Sequence, residues 1–134
     1  VPDVPMPTDK ARSILPSQVS TADAIYNIGR VGLLVAALSS GDFSHLDIAT
    51  QDRLHQPYRQ TIFPAMKNIF RSAISAGALG VFLSGAGSSV LALTQRREVT
   101  VGYEMAEAAA KSGVGGTVRV TQPSLKGVEV VHRE

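Results

Sequence analysis

Leu83-Ser84-Gly85-Ala86-Gly87-Ser88-Ser89-Val90-Leu91-Ala92-Leu93 decides the fold, because a glycine-rich turn lies here between two short apolar runs. The runs, residues 79–83 and 89–94, are continuous and bounded by turn residues, which predicts two buried strands joined as a strand-turn-strand unit. Gly85 and Gly87 can take φ > 0, and without Cβ atoms their backbone N–H groups can approach an anion closely. A tight turn between two core strands asks for Gly and Ser at the same positions, so the loop residues alone fit both roles.

Upstream of the turn the period is helical. Thr8 caps a short helix over 9–15 that Pro16 stops. Ser20 or Thr21 caps a longer helix from Ala22 whose apolar residues Ile25, Ile28, Leu33, Val35 and Leu38 surround it broadly, predicting a central packing element that ends at Ser39-Ser40-Gly41. A further helical stretch runs from Asp42 to Gln56, where Pro57 breaks it. Residues 62–76 carry Ile62, Phe63, Met66, Ile69, Phe70, Ala73 and Ile74 at helical spacing, a core stripe that Gly77 terminates.

Downstream, residues 98–111 return to helix before Ser112-Gly113, and 116–121 and 127–131 alternate as strands about the turn 122–126. Several helices followed by strand, strand, helix, strand, strand predict an α+β fold, a ferredoxin-like antiparallel sheet with helices packed on one face.

At 134 residues and 44% hydrophobic content the chain holds one domain with a proper core. With no cysteine, neither a disulfide framework nor a thiolate metal site is open to it, and a reducing cytoplasm is permitted. His45, His55 and His132 lack ligand spacing, so a structural metal is not expected. The net charge of +2 is dispersed and there is no Trp, which argues against nucleic acid as a partner. The apolar run 31–38 is far shorter than a membrane span, and no membrane partner is expected. The opening Val1-Pro2-Asp3-Val4-Pro5-Met6-Pro7 reads as a start inside a strand, as in a piece of a longer polypeptide, or as a proline-rich linker.

Two arginines stand out as candidate ligand holders. Arg12 lies one turn into the first helix; Arg59 follows Pro57, which fixes the backbone ahead of it. Converging guanidinium forks would hold one carboxylate bidentately and orient a small amino acid, whereas an ordinary exposed Arg does nothing specific. His55 has no evident acid partner and reads as a surface or capping residue. Asp52 either pairs with Arg53 or Arg59, the favoured structural role, or faces a pocket. Ser84, Ser88 and Ser89 form no Gly-x-Ser-x-Gly elbow and read as hydroxyl donors and turn formers. No Gly-Lys-Ser/Thr phosphate loop occurs either.

Three segments taken together, Pro7-Thr8-Asp9-Lys10-Ala11-Arg12 with Leu15-Pro16, Asp52-Arg53-Leu54-His55-Gln56-Pro57-Tyr58-Arg59, and Gly77 through Gly87, resemble the GHMP family of small-molecule kinases, in its homoserine-phosphorylating branch. The resemblance covers nearly the whole chain. It implies that residues 1–134 are the family's C-terminal domain, with the N-terminal ATP-binding domain outside this chain. It implies a cytoplasmic enzyme that transfers the ATP γ-phosphate to the hydroxyl of L-homoserine, giving O-phospho-L-homoserine on the route to threonine. ATP and Mg²⁺ would serve the complete enzyme, with none held tightly by this fragment.

By the same resemblance, Arg12 and Arg59 fall on the arginines that bind the homoserine carboxylate, joined by Gly85. Ser84, Gly85, Ala86 and Gly87 fall on the loop that lines the cleft. The family usually continues that loop with Pro-Thr or Pro-Ser, where this chain has Ser88-Ser89. The family's second motif, Pro-x-x-x-Gly-Leu-Gly-Ser-Ser-Ala, whose loop and helix N-terminus hold the ATP phosphates, does not occur here. The fragment is therefore expected to fold, to be inactive alone and to need its N-terminal domain. A homodimer is also open. The rival expectations are a free-standing amino-acid-binding regulatory module and a dimerisation domain.

Overall fold

Everything in the fold is arranged about the hairpin on either side of the glycine turn. The computed structural model describes residues 1–124 and 126–130. Its elements are α1 (Thr8–Ser13), α2 (Thr21–Ser40), α3 (Leu46–Ala49), α4 (Gln56–Arg59), α5 (Ala65–Ser75), β1 (Gly80–Leu83), β2 (Val90–Leu93) and α6 (Glu98–Lys111). β1 and β2 pair antiparallel, with Gly80 opposite Leu93, Val81 opposite Ala92, Phe82 opposite Leu91 and Leu83 opposite Val90.

The pleat sends Val81, Leu83, Val90 and Ala92 to one face. That face meets α5 and α6 in two clusters, one around Phe63, Met66, Ile69 and Leu83, the other around Ala73, Ala78, Val81 and Val101. Phe63 and Val101 are the largest fully buried side chains, and full burial of such a side chain is worth about 1.5–3 kcal/mol. A third cluster joins Leu79 and Leu93 at the hairpin's open end to Leu46 and Ala49 of α3 and to Leu33, Leu34 and Ala37 of α2. Helices layered on an antiparallel hairpin make the domain α+β, with α5 and α6 sharing one face as the sequence predicts.

Several elements differ from expectation for identifiable reasons. Of the helix predicted from Asp42 to Gln56 only the single turn α3 forms, and another single turn, α4, starts where the prediction ends. Asp42 Oδ1 accepts the N–H of Ser44, an Asx turn that competes with helix before α3. Pro57 does not break a helix; it lies in the first turn of α4, where its missing N–H costs nothing. Pro64 likewise delays α5 to Ala65.

The long α2 is capped as predicted, Ser20 Oγ accepting from Asp23 N at 3.0 Å. It is not the centre of the packing, however. Ile25, Ile28, Val35 and Leu38 are exposed along with Val31, and Ala37 is the helix's buried residue. Apolar residues all round a helix do not say which stripe meets the core. By length and composition α2, unlike the run 31–38 alone, is long and apolar enough to cross a membrane. Three hydrogen bonds help hold it to the domain: Tyr26 Oη donates to Gln51 at 2.6 Å, Asn27 Nδ2 to Asp52 at 2.7 Å, and Asn27 Oδ1 accepts from Arg53 N at 3.0 Å.

The strands predicted at 116–121 and 127–131 are not formed over the described residues. Residues 1–3 pair with 115–117 through an isolated Pro2–Gly116 bridge, with Asp3 N donating to Gly115 O and Thr117 N to Val1 O. Val118, Val120, Val128 and Val130 alternate as a strand would, yet all four are exposed. Alternation marks a pleated face, but a strand also needs a neighbour for its ladder. Val131 lies outside the described residues.

Candidate functional site

Asp52 organises the segment that carries Arg59. Its Oδ2 accepts from His55 N at 2.8 Å and Gln56 N at 2.6 Å, and its Oδ1 from Leu54 N at 3.1 Å and from the Asn27 amide. These N–H groups stand at the start of α4 and have no carbonyl to bond within the helix. Burial pushes the Asp52 carboxyl up, but the hydrogen bonds from Asn27, Gln56, His55 and Leu54 together outweigh it and hold the group below its ordinary value of 3.8. Asp52 therefore has the structural role, although neither expected arginine is its partner: Arg53 pairs with Asp23 at 3.6 Å and lies over the Tyr26 ring. His55 does have an acid neighbour, Asp52 Oδ1 at 3.7 Å from its Nε2.

One turn later, α4 grips the hairpin. Arg59 is 7% exposed and donates from Nη1 to the carbonyl of Gly85 at 2.6 Å, while its buried Nε has no partner among the described residues. Gln56, equally buried, accepts from Leu83 N at 2.9 Å and donates to Thr50 O at 3.3 Å. The sequence singled out Arg59 and missed Gln56, since a glutamine beside a proline gives no signal until the strand edge it serves is known.

The turn itself is as the glycines require. Gly85 and Gly87 have φ of 56° and 88°, and the turn closes by Ser84 N to Ser89 O and Gly87 N to Ser84 O. Its far side is braced by the N-terminal segment. Ser88 Oγ donates to Val4 O at 2.6 Å, and Met6 lies so close to Gly87 that an added Cβ would come within 3.1 Å of its sulfur. That segment runs straight into α1, where Ala11 is fully buried and Arg12 is exposed, its side chain without hydrogen bond or ion pair among the described residues. The structure thus ties Arg59 directly to the turn; Arg12 follows a segment packed on the same turn.

Beside Gln56 a cavity of about 180 Å³ is lined by Asn27, Arg30, Asp52, His55 and Phe82. Arg30 Nε and His55 Nδ1 are buried there without partners among the described residues. A larger groove of about 390 Å³ between α5 and α6 is lined by none of the candidate residues. Among the described residues no three His, Cys, Asp or Glu side chains come together to hold a metal.

Residues 34–111, more than half of the chain, match the family described as GHMP kinases C terminal. The chain belongs to the GHMP kinase family and carries its C-terminal domain. More particularly, it is similar to homoserine kinases. It is 40% identical over 131 residues to the homoserine kinase of Moorella thermoacetica, covering 98% of this chain and 44% of that protein. It is 36% identical over 130 residues to that of Persephonella marina, covering 97% of this chain and 43% of that protein. The crystal structure of homoserine kinase from Cytophaga hutchinsonii superposes with a TM-score of 0.79 at 34% identity, over 85% of this chain and 37% of that one. The chain spans less than half the length of these relatives.

Proposed function

We propose that this domain is the substrate-side half of a kinase that moves the γ-phosphate of ATP to the hydroxyl of L-homoserine, with Arg59 and Arg12 holding the substrate carboxylate. The observation that carries the proposal is Arg59, a buried guanidinium fixed on the Gly85 carbonyl with donors to spare. A planar fork with its stem buried is suited to a carboxylate, because the donors are already desolvated and oriented. The exposed Arg12 would close over the same group from α1.

Phosphoryl transfer rests on positioning and charge neutralisation. In that division of labour this chain orients the amino acid so that its side-chain hydroxyl meets the nucleotide, and ATP and Mg²⁺ are held by the other domain. The turn at Gly85–Gly87 forms part of the cleft wall. The isolated chain accordingly binds homoserine weakly and phosphorylates nothing.

The test is a chimera in which this chain replaces the matching part of Moorella thermoacetica homoserine kinase. Arg12→Ala and Arg59→Ala each raise KM for L-homoserine at least about tenfold, the worth of a charge-assisted pair. An unchanged KM in both variants would refute the assignment. A dimerisation role is favoured by a different observation, the exposed stripe Ile25, Ile28, Val31, Val35 and Leu38; sedimentation showing a monomer at micromolar concentration would dismiss it.

A further inference from the structure

Resting on that reading of Arg59, we propose that Gln56 is its positioning residue: the Gln56 side-chain amide splints α4 to the edge of β1 and so fixes the guanidinium against the Gly85 turn. β1 has one paired edge and one free edge. Ser84 N donates across the hairpin to Ser89 O, so the N–H groups of Val81 and Leu83 point the other way. Both are taken by side chains, one from Thr50 at the end of α3 and one from Gln56 at the start of α4: Val81 N donates to Thr50 Oγ1 at 3.3 Å and Leu83 N to Gln56 Oε1 at 2.9 Å.

Gln56 and Arg59 are three residues apart, on one face of a single helical turn. Their targets, Leu83 and Gly85, are two residues apart at the end of β1. Two parallel ties therefore join the same turn of helix to the same stretch of hairpin. One alone would leave α4 free to pivot, because a four-residue helix has no stiffness of its own. The Gln56 amide removes that freedom, and its Nε2, donating to Thr50 O, fixes which way the amide faces. Loss of the amide strands the Leu83 N–H in a buried position and releases the tie that sets the reach of Arg59.

The decisive experiment reads Arg59 itself. In ¹⁵N spectra of this chain, the guanidinium N–H signals of Arg59 exchange with water at least about tenfold more slowly than those of exposed Arg12, as a buried, bonded donor should. Gln56→Met, similar in length but without the amide, abolishes that protection. Should the Met variant not fold, Gln56→Asn, one methylene too short to reach, supplies the same comparison.

Protection of Arg59 unchanged in the variant that lacks the tie overturns the proposal, even if its melting temperature falls. In the chimera, Gln56→Met raises KM for L-homoserine about tenfold with kcat within about twofold. If Arg59→Ala raises KM and Gln56→Met does not, the positioning role is wrong. If Arg59→Ala leaves KM unmoved, the carboxylate assignment is wrong, and the exchange measurement still decides the role of Gln56.

Discussion

Replacing Asp52 by alanine removes the acceptor for four hydrogen bonds at once, from Asn27 Nδ2 and the backbone N–H groups of Leu54, His55 and Gln56. Hydrogen bonds to a charged group are worth about 1.5–3 kcal/mol each, but donors at a helix start regain water when the acceptor goes. Loss of a helix cap alone costs about 0.5–2 kcal/mol. The side chain is 7% exposed, so rehydration of these donors is incomplete. The expected loss for Asp52→Ala is about 3 kcal/mol, between the cap value and the sum of four separate bonds. With a urea slope of about 2 kcal/mol/M, the unfolding midpoint falls by about 1.5 M at pH 7.

Asp52→Asn keeps one acceptor oxygen and turns the other into a donor facing donors, so its midpoint falls by about 1 M. The folded-state value of Asp52 lies below the unfolded 3.8, so the carboxylate's contribution is complete above that pH and is lost as pH falls below it. The midpoint gap between parent chain and Asp52→Asn therefore narrows on acidification past 3.8. A shift smaller than about 0.3 M for Asp52→Ala at pH 7 refutes the view that this carboxylate organises α4.

Other consequences are tested in the same denaturation assay. Gly80→Ala drives a Cβ to within 2.8 Å of the Leu46 carbonyl oxygen, a backbone atom that cannot swing aside, and lowers stability by about 2 kcal/mol. Phe63→Ala empties the site of a fully buried ring and costs about 3–5 kcal/mol. Ile28→Lys, by contrast, changes a side chain 71% exposed on α2 and leaves stability within about 0.5 kcal/mol, whereas a large loss would place that stripe inside the domain.

The hairpin was legible because Gly85 and Gly87 mark the turn between two short apolar runs, although only β1 is buried as expected and β2 is half-buried with Leu91 exposed, and α6 because Glu98 opens and Ser112-Gly113 closes a clear period. Arg59 stood out by its place after Pro57 and by the motif resemblance, and the structure buries it against the Gly85 carbonyl. What escaped depends on partners distant in sequence. Whether Asp52 meets Arg53 or Asn27 is settled by where α2 lies, and Gln56 matters only because β1 presents a free edge at Leu83. The alternating valines after Gly116 carry a strand pattern, but no pattern supplies the neighbour that would complete the ladder. α2 misleads for a related reason, since it is apolar on several faces and its long stripe turns outward.

The most direct measurement compares two substrates in the Moorella chimera, L-homoserine and 3-aminopropan-1-ol, the same amino alcohol without its carboxylate. If Arg59 and Arg12 grip that group, Arg59→Ala and Arg12→Ala lower kcat/KM for homoserine at least about tenfold and leave the carboxylate-free alcohol unchanged. Equal losses on both substrates, or none on either, would contradict the assignment.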